Sequence, residues 1–163
     1  MRVEQKSEQE QNTKTSSAEK NVRAFLRLIR YAETGKDDSS AYYVLYGGGT
    51  FKNNSAHPLR KAVTRWGKKS RSAGAYQIQY STWEGEKKHG LVSDFTPASQ
   101  DKIARDKLRS RGALAYIETG NIEKAIPKLR DEWTSLPGAK QAKKEMTMEK
   151  ARTLFNQYVA DQK

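Results

Sequence analysis

Apolar residues in the first well-patterned segment of the chain fall at Val22, Phe25, Leu26 and Ile29, the three-and-four spacing of a helix with one buried face. This spacing predicts a helix from about Asn21 to Glu33, stopped by Thr34-Gly35. After a polar turn at Asp37–Ser40, the aromatic and branched run Ala41-Tyr42-Tyr43-Val44-Leu45-Tyr46 leads through Gly47-Gly48-Gly49 to Thr50-Phe51. It reads as a strand, a glycine turn and a short return strand. Residues 52–73 mix turn formers with bases and are expected to be mostly loop, with a turn of helix near Leu59–Arg65. Helices are then expected at Ala75–Trp83, from Thr96-Pro97 to Ser110, at Ala113–Glu118 and from the cap Asn121 to Trp133. Pro127 must disturb the last of these. A final helix starts at Thr147 and buries Ala151, Leu154, Phe155 and Tyr158. The predicted fold class is α+β, predominantly helical, with a small β-hairpin beside a cleft.

Composition narrows the chemistry. A chain of 163 residues suffices for one domain with a real core. Cysteine is absent, which excludes disulfides, thiol nucleophiles and cysteine-ligated zinc. His57 and His89 lie far apart in polar, turn-like contexts, and His57, which precedes Pro58, is expected at a surface turn. Residues 1–20 hold four acids and four bases and lack the apolar core of a secretory signal. They are expected to be a disordered polar tail, leaving 21–163 as a single catalytic domain. The apolar runs are too short for a membrane span, so no membrane insertion is expected.

The net charge of +12 therefore falls on the domain. Seven bases and no acid occupy the stretch from Lys52 to Arg71: Lys52, Arg60, Lys61, Arg65, Lys68, Lys69 and Arg71. Such a surface attracts a polyanion: nucleic acid, anionic lipid, or a cell-wall polymer whose stem peptides carry free carboxylates. A solvated basic face kept for solubility accounts for the same residues, and charge alone does not choose.

Glu33 is the candidate that does. It sits at a helix end, four residues beyond Ile29, and no Asp or Glu follows between Asp38 and Glu84. Desolvation and the negative end of the helix dipole both disfavour its charged form, so it can hold a proton near neutral pH and donate it to a leaving group. The hairpin expected beside it is rich in tyrosine and glycine, the kind of wall on which sugar rings stack. Tyr42, Tyr43, Tyr46, Tyr76 and Trp133 are the aromatic candidates, with Gln77 and Gln79 as amide donors.

A series of landmarks appears in one order: Ala24-Phe25-Leu26 leading to Glu33, Gly47-Gly48 with Phe51, His57-Pro58, and Gly74-Ala75-Tyr76-Gln77. Asp94-Phe95-Thr96-Pro97 with Ser99-Gln100-Asp101, Arg111-Gly112-Ala113-Leu114, and Trp133 with Ser135-Leu136-Pro137-Gly138-Ala139 complete it. In this order the chain resembles the bacteriophage lambda endolysin family, lysozyme-like murein lytic transglycosylases, from about Ala24 to Phe155. The resemblance implies that Glu33 is the catalytic acid and that Gly74, Tyr76 and Gln77 lie against the sugar-binding groove; together with the aromatic candidates this makes Tyr42, Tyr43, Tyr76, Gln77 and Trp133 the residues expected against the glycan. It also implies two lips, near Arg60–Ser70 and Ser135–Ala142. Thr34 and Tyr43 depart from the lambda sequence, which has glycine and aspartate there, and the latter change puts any role for that aspartate in doubt.

The resemblance further implies cleavage of the β-1,4 bond between N-acetylmuramic acid and N-acetylglucosamine, with closure of a 1,6-anhydro ring and no metal or organic cofactor. The expected partner is the peptidoglycan glycan strand, acted on by a monomer. By analogy with the family, the protein is made in the host bacterial cytoplasm and reaches periplasmic peptidoglycan through a holin lesion. Three alternatives stay open: a hydrolytic muramidase using Asp37 or Asp38 to position water, a basic nucleic-acid-binding protein, and a catalytically dead wall-binding module.

Overall fold

The computed structural model describes residues 2–162, with side chains described from residue 16 onward. Six helices and two small antiparallel hairpins follow one another: α1 (Arg2–Thr34), β1 (Val63–Arg65), β2 (Lys68–Ser70), β3 (Ser72–Ala73), β4 (Ile78–Gln79), α2 (Tyr80–Lys88), α3 (Pro97–Ser110), α4 (Leu114–Glu118), α5 (Ile122–Leu129) and α6 (Met148–Ala160). A 3₁₀ turn spans Ser39–Tyr43.

Helix α1 organises the core. Its stripe Val22, Phe25, Leu26 and Ile29 is buried, joined by Ala24 and Leu28, so it is covered on more than one side. It packs against α6 and α4, and α6 meets it with the expected Ala151, Leu154, Phe155 and Tyr158. The helix starts well before Asn21. Residues 2–20 contain neither glycine nor proline, so nothing in the backbone stops helix propagation there. Near the domain, Glu19 meets Arg105 of α3, and Lys20 accepts a bond from Gln162 through its carbonyl. The segment read from sequence as a disordered tail is thus continuous with α1 in the structure.

The strand positions differ from those expected. Residues 39–43 form the 3₁₀ turn, capped by Asp38 through Ser40 N–H, instead of a strand. Of the anticipated hairpin one isolated bridge remains, Val44 to Thr50, with Phe51 N–H bonding the Tyr43 carbonyl at 3.0 Å, while a second bridge ties Leu45 to Ala73 outside it. The regular pairing lies in the basic stretch read as loop, where β1 pairs with β2 in the register Val63 to Ser70, and β3 with β4 at Ala73 to Ile78. Val63 and Thr64 are β-branched, and Trp66-Gly67 makes the two-residue turn with both residues at positive φ. Helix α2 begins at Tyr80, after β4, not at Ala75. Helices α3 and α6 start at their predicted threonine caps, and α5 at Asn121, although α5 ends at Leu129 and not at Trp133.

His57 is also corrected: it is buried, not at a surface turn. Its Nε2 lies 2.7 Å from the Ile78 carbonyl and must donate, while Nδ1 accepts from Leu59 N–H at 3.0 Å. Both partners specify the neutral ring, which packs against Phe95 at 4.6 Å. Burial is the first cause holding its pKa down at about 4, below the ordinary 6.5. No helix among the described residues is long and apolar enough to cross a membrane.

One fully buried amide ties the helical part to the cleft wall. Gln100 Oε1 accepts from Ala75 N–H at 2.9 Å, and its Nε2 donates to the carbonyls of Tyr42 and Phe95 at 3.1 and 3.0 Å. A Cβ on Gly74 would lie 2.3 Å from that same oxygen, so the close approach requires glycine. Gln100→Leu keeps the volume and orphans three main-chain groups, and chemical denaturation should register a loss of about 3 kcal/mol. Acid titration tests His57 separately. Its folded pKa is depressed, so its contribution is complete above pH 6.5 and is lost as pH falls toward 4. Wild type should lose about 3 kcal/mol over that window relative to His57→Asn, whose stability-pH curve should be flatter.

Candidate active site

A cleft of about 720 Å³ opens between the end of α1 and the β-rich segment. Glu33 lies in the last turn of α1, which Gly35 ends at φ +75° while its N–H bonds the Tyr31 carbonyl at 2.8 Å. Its carboxyl is largely buried, and Oε1 has no hydrogen-bond partner. Burial raises its pKa from the ordinary 4.5 to about 7, against a smaller opposing pull from the Ser135 amide and hydroxyl. The group is therefore close to half-protonated at neutral pH.

The opposite wall is built around the turn Gly74-Ala75-Tyr76-Gln77. Gln77 N–H and Nε2 both bond the Gly74 carbonyl, at 3.2 and 2.9 Å, and Nε2 also donates to Val44 O at 3.2 Å. These bonds hold Gln77 at φ +48°, a conformation that costs a non-glycine residue energy and marks a tightly determined site. With its amide nitrogen spent on the main chain, Gln77 braces the wall. Trp133, also buried, donates from Nε1 to the Tyr76 carbonyl at 3.1 Å and keys the loop after α5 to the same turn. Behind the wall, Tyr76 and Tyr42 hydroxyls both donate to Asp101 Oδ1, and Arg30 donates to the Tyr76 hydroxyl at 3.0 Å.

Of the residues expected against the glycan, the cleft brings together Glu33, Tyr76, Gln77 and Trp133, with Tyr46 and Gln79 also in its lining. Tyr42 and Tyr43 are not part of that lining. Tyr42 is turned to Asp101, and Tyr43 packs on Phe51 at 5.5 Å and accepts from Asn54. The displacement follows from the 3₁₀ turn, because a turn does not alternate its side chains between two faces as a strand does. Asp37 accepts from the Tyr158 hydroxyl at 3.1 Å and Asp38 caps the 3₁₀ turn, both away from the cleft.

Asp131 and Glu132 line the cleft, and sequence reasoning missed them. Ser135, from the second expected lip, faces the acid, and Trp66, Lys68 and Lys69, from the first, reach the cleft on the β1–β2 hairpin. A usable signal existed for the hairpin only: a residue-glycine pair between β-branched and basic positions. Both segments expected as lips contribute to the lining, Lys68–Ser70 from one and Ser135 with Gln141 from the other.

A helical body with a small β-rich wall and one buried acid in the cleft between them defines a lysozyme-like protein. The fold is similar to that of lysozyme from bacteriophage lambda, with a TM-score of 0.75 at 33% identity over 85% of this chain and 94% of that one. The bacteriophage lambda lysozyme complexed with a chitohexasaccharide gives 0.76 with the same identity and coverage. The endolysin of Escherichia phage P2 is 35% identical over 149 residues, 83% of this chain and 90% of that protein. The endolysin of Escherichia phage lambda is 40% identical over 124 residues, 72% and 77% of the two chains. The sequence model of the endolysin family matches residues 23–161, and the chain belongs to that family.

The buried acid has a signature in stability. Its folded pKa is raised, so its contribution is complete below pH 4.5 and is lost as pH rises through about 7. Glu33→Gln should be more stable than wild type by about 2 to 3 kcal/mol at pH 8.5 and nearly equal at pH 4, read by thermal melts across that range.

Proposed function

We propose that the protein is a peptidoglycan-cleaving endolysin that works by lytic transglycosylation, with residues 21–163 as its catalytic domain. The observation that carries the reading is the buried carboxyl of Glu33, its Oε1 without a hydrogen-bond partner, in an open cleft. A group with a pKa of about 7 can give a proton in one step and take one in the next. Protonated Glu33 donates to the bridging oxygen between N-acetylmuramic acid and N-acetylglucosamine, and the C1–O bond breaks. The resulting carboxylate removes the proton from the muramic 6-hydroxyl as that oxygen bonds to C1. The sugar closes as a 1,6-anhydro ring, and no water is consumed.

A hydrolase needs a second carboxylate about 5 to 10 Å across the bond, to serve as nucleophile or to activate water. Asp37 and Asp38 are occupied outside the cleft, which supports the single-acid route over their use as that partner. Asp131 and Glu132 keep the hydrolytic reading alive, since both line the cleft, although Glu132 is already paired with Arg111 at 2.8 Å. The relatives named endolysin or lysozyme, one of them holding a chitohexasaccharide, support a glycan substrate for either route.

Glu33→Gln, which cannot donate the proton, should abolish release of soluble fragments from purified sacculi while the protein still sediments with them. Mass spectrometry of the wild-type digest should find fragments one water lighter than hydrolysed ones and without reducing ends. Asp131→Asn should leave that product unchanged. Reducing termini in the wild-type digest, lost in Asp131→Asn, would establish hydrolysis instead.

A further inference from the structure

The proposed reaction leaves part of the cleft unused. Lys68, Lys69, Lys107 and Lys143 line it, and among the described residues none of the four joins an ion pair. Of the carboxylates there, Glu33 is about half-protonated at neutral pH, Glu132 is paired with Arg111 and Asp131 adds one negative charge, so the four ammonium groups leave positive charge in excess. Beside Lys68 and Lys69 stands Trp66, 80% exposed, whereas Trp83 and Trp133 are buried.

Trp66 is not a loose side chain. At φ +51° it occupies the hairpin position that favours glycine or asparagine, so local conformation does not explain a tryptophan there. Its ring meets Tyr46 edge to face at 6.0 Å. The stem of the preceding Arg65 crosses Gly47 so closely that a Cβ there would lie 2.2 Å from Arg65 Cγ. The hairpin is therefore seated on the glycine wall, and its indole and two ammonium groups are delivered to one rim of the cleft.

We propose that this hairpin recognises the peptide-bearing form of the glycan. Trp66 stacks on a pyranose ring, and Lys68 and Lys69 bind carboxylates of the acidic stem peptide projecting from the strand. The inference rests on the glycan-cleaving reading above and adds a specificity to it. Stacking suits an amphipathic ring on an exposed indole, and ammonium groups on flexible stems suit carboxylates whose positions vary along a strand.

The test uses the full chain carrying Glu33→Gln, so that bound strands stay intact, and follows binding by titration calorimetry, a readout that survives the loss of Trp66. Three glycan probes, murein strands with stem peptides, the same strands stripped by an amidase, and chitohexaose, are compared with one another and with a single-stranded oligonucleotide. At low salt the peptide-bearing strands should bind about three- to tenfold tighter than the stripped ones, and the advantage should vanish near 0.5 M salt, roughly the range where exposed pairs are screened. Lys68→Gln/Lys69→Gln should remove that advantage and leave chitohexaose unchanged, while Trp66→Ala should weaken all three by about three- to tenfold. Equal binding of the three probes, or a lysine variant that weakens all of them alike, would overturn the inference. So would a preference for single-stranded oligonucleotides over every glycan. Wild-type digestion of sacculi is measured alongside: if digestion proceeds without discrimination, only the hairpin's role falls, and if no glycan is bound or cut, the underlying reading falls with it.

Discussion

A carboxyl group without a hydrogen-bond partner for Oε1, held at the edge of the core, sets the terms for the rest of this structure. Leaving such a group buried is unfavourable, and the free energy for doing so must come from elsewhere in the fold. Here it comes from α1, whose stripe from Val22 to Ile29 is packed on more than one side. Glu33 stands one turn beyond Ile29, where the packed interior gives way to the cleft. Had the helix stopped a turn earlier, the acid would lie in solvent and regain an ordinary pKa. With a further turn of packed helix, no substrate could reach it.

The wall facing the acid is held mainly by main-chain hydrogen bonds. Gln100 bonds Ala75, Tyr42 and Phe95, Gln77 bonds Gly74 and Val44, and the Trp133 indole bonds Tyr76. Each side chain satisfies backbone groups of an irregular segment that has little strand pairing of its own. These bonds let a wall with two-residue strands keep a defined distance from a helix end. Gln77 and Trp133, expected against the glycan, spend their nitrogen donors on the protein and line the groove with the rest of their side chains.

Two buried titrating groups, Glu33 in the cleft and His57 in the core, pull in opposite directions with pH. His57, neutral and doubly bonded, resists acid, whereas Glu33 resists ionisation. The fold is under least electrostatic stress between the ordinary pKa of a carboxyl and that of an imidazole. The pKa of Glu33, about 7, lies just above that window, so stability is given up as the carboxyl ionises.

The helical frame and the acid were legible from local sequence. The stripe on α1, the threonine caps of α3 and α6, the Asn121 cap and the unaccompanied Glu33 all act over three or four residues, the range over which side-chain spacing reports burial. Tertiary packing decided the rest. The start of the tyrosine-rich run, Ala41–Tyr43, became part of a 3₁₀ turn, its Tyr42 hydroxyl bonded to Asp101 far along the chain and Tyr43 to Asn54. The basic stretch became the real hairpin because Arg65 and Trp66 settle on Gly47 and Tyr46. His57 was buried by Ile78 and Phe95, which no neighbouring residue announces. Short strands and polar side chains take their places from contacts distant in sequence, and such contacts exist only once the helices have been brought together.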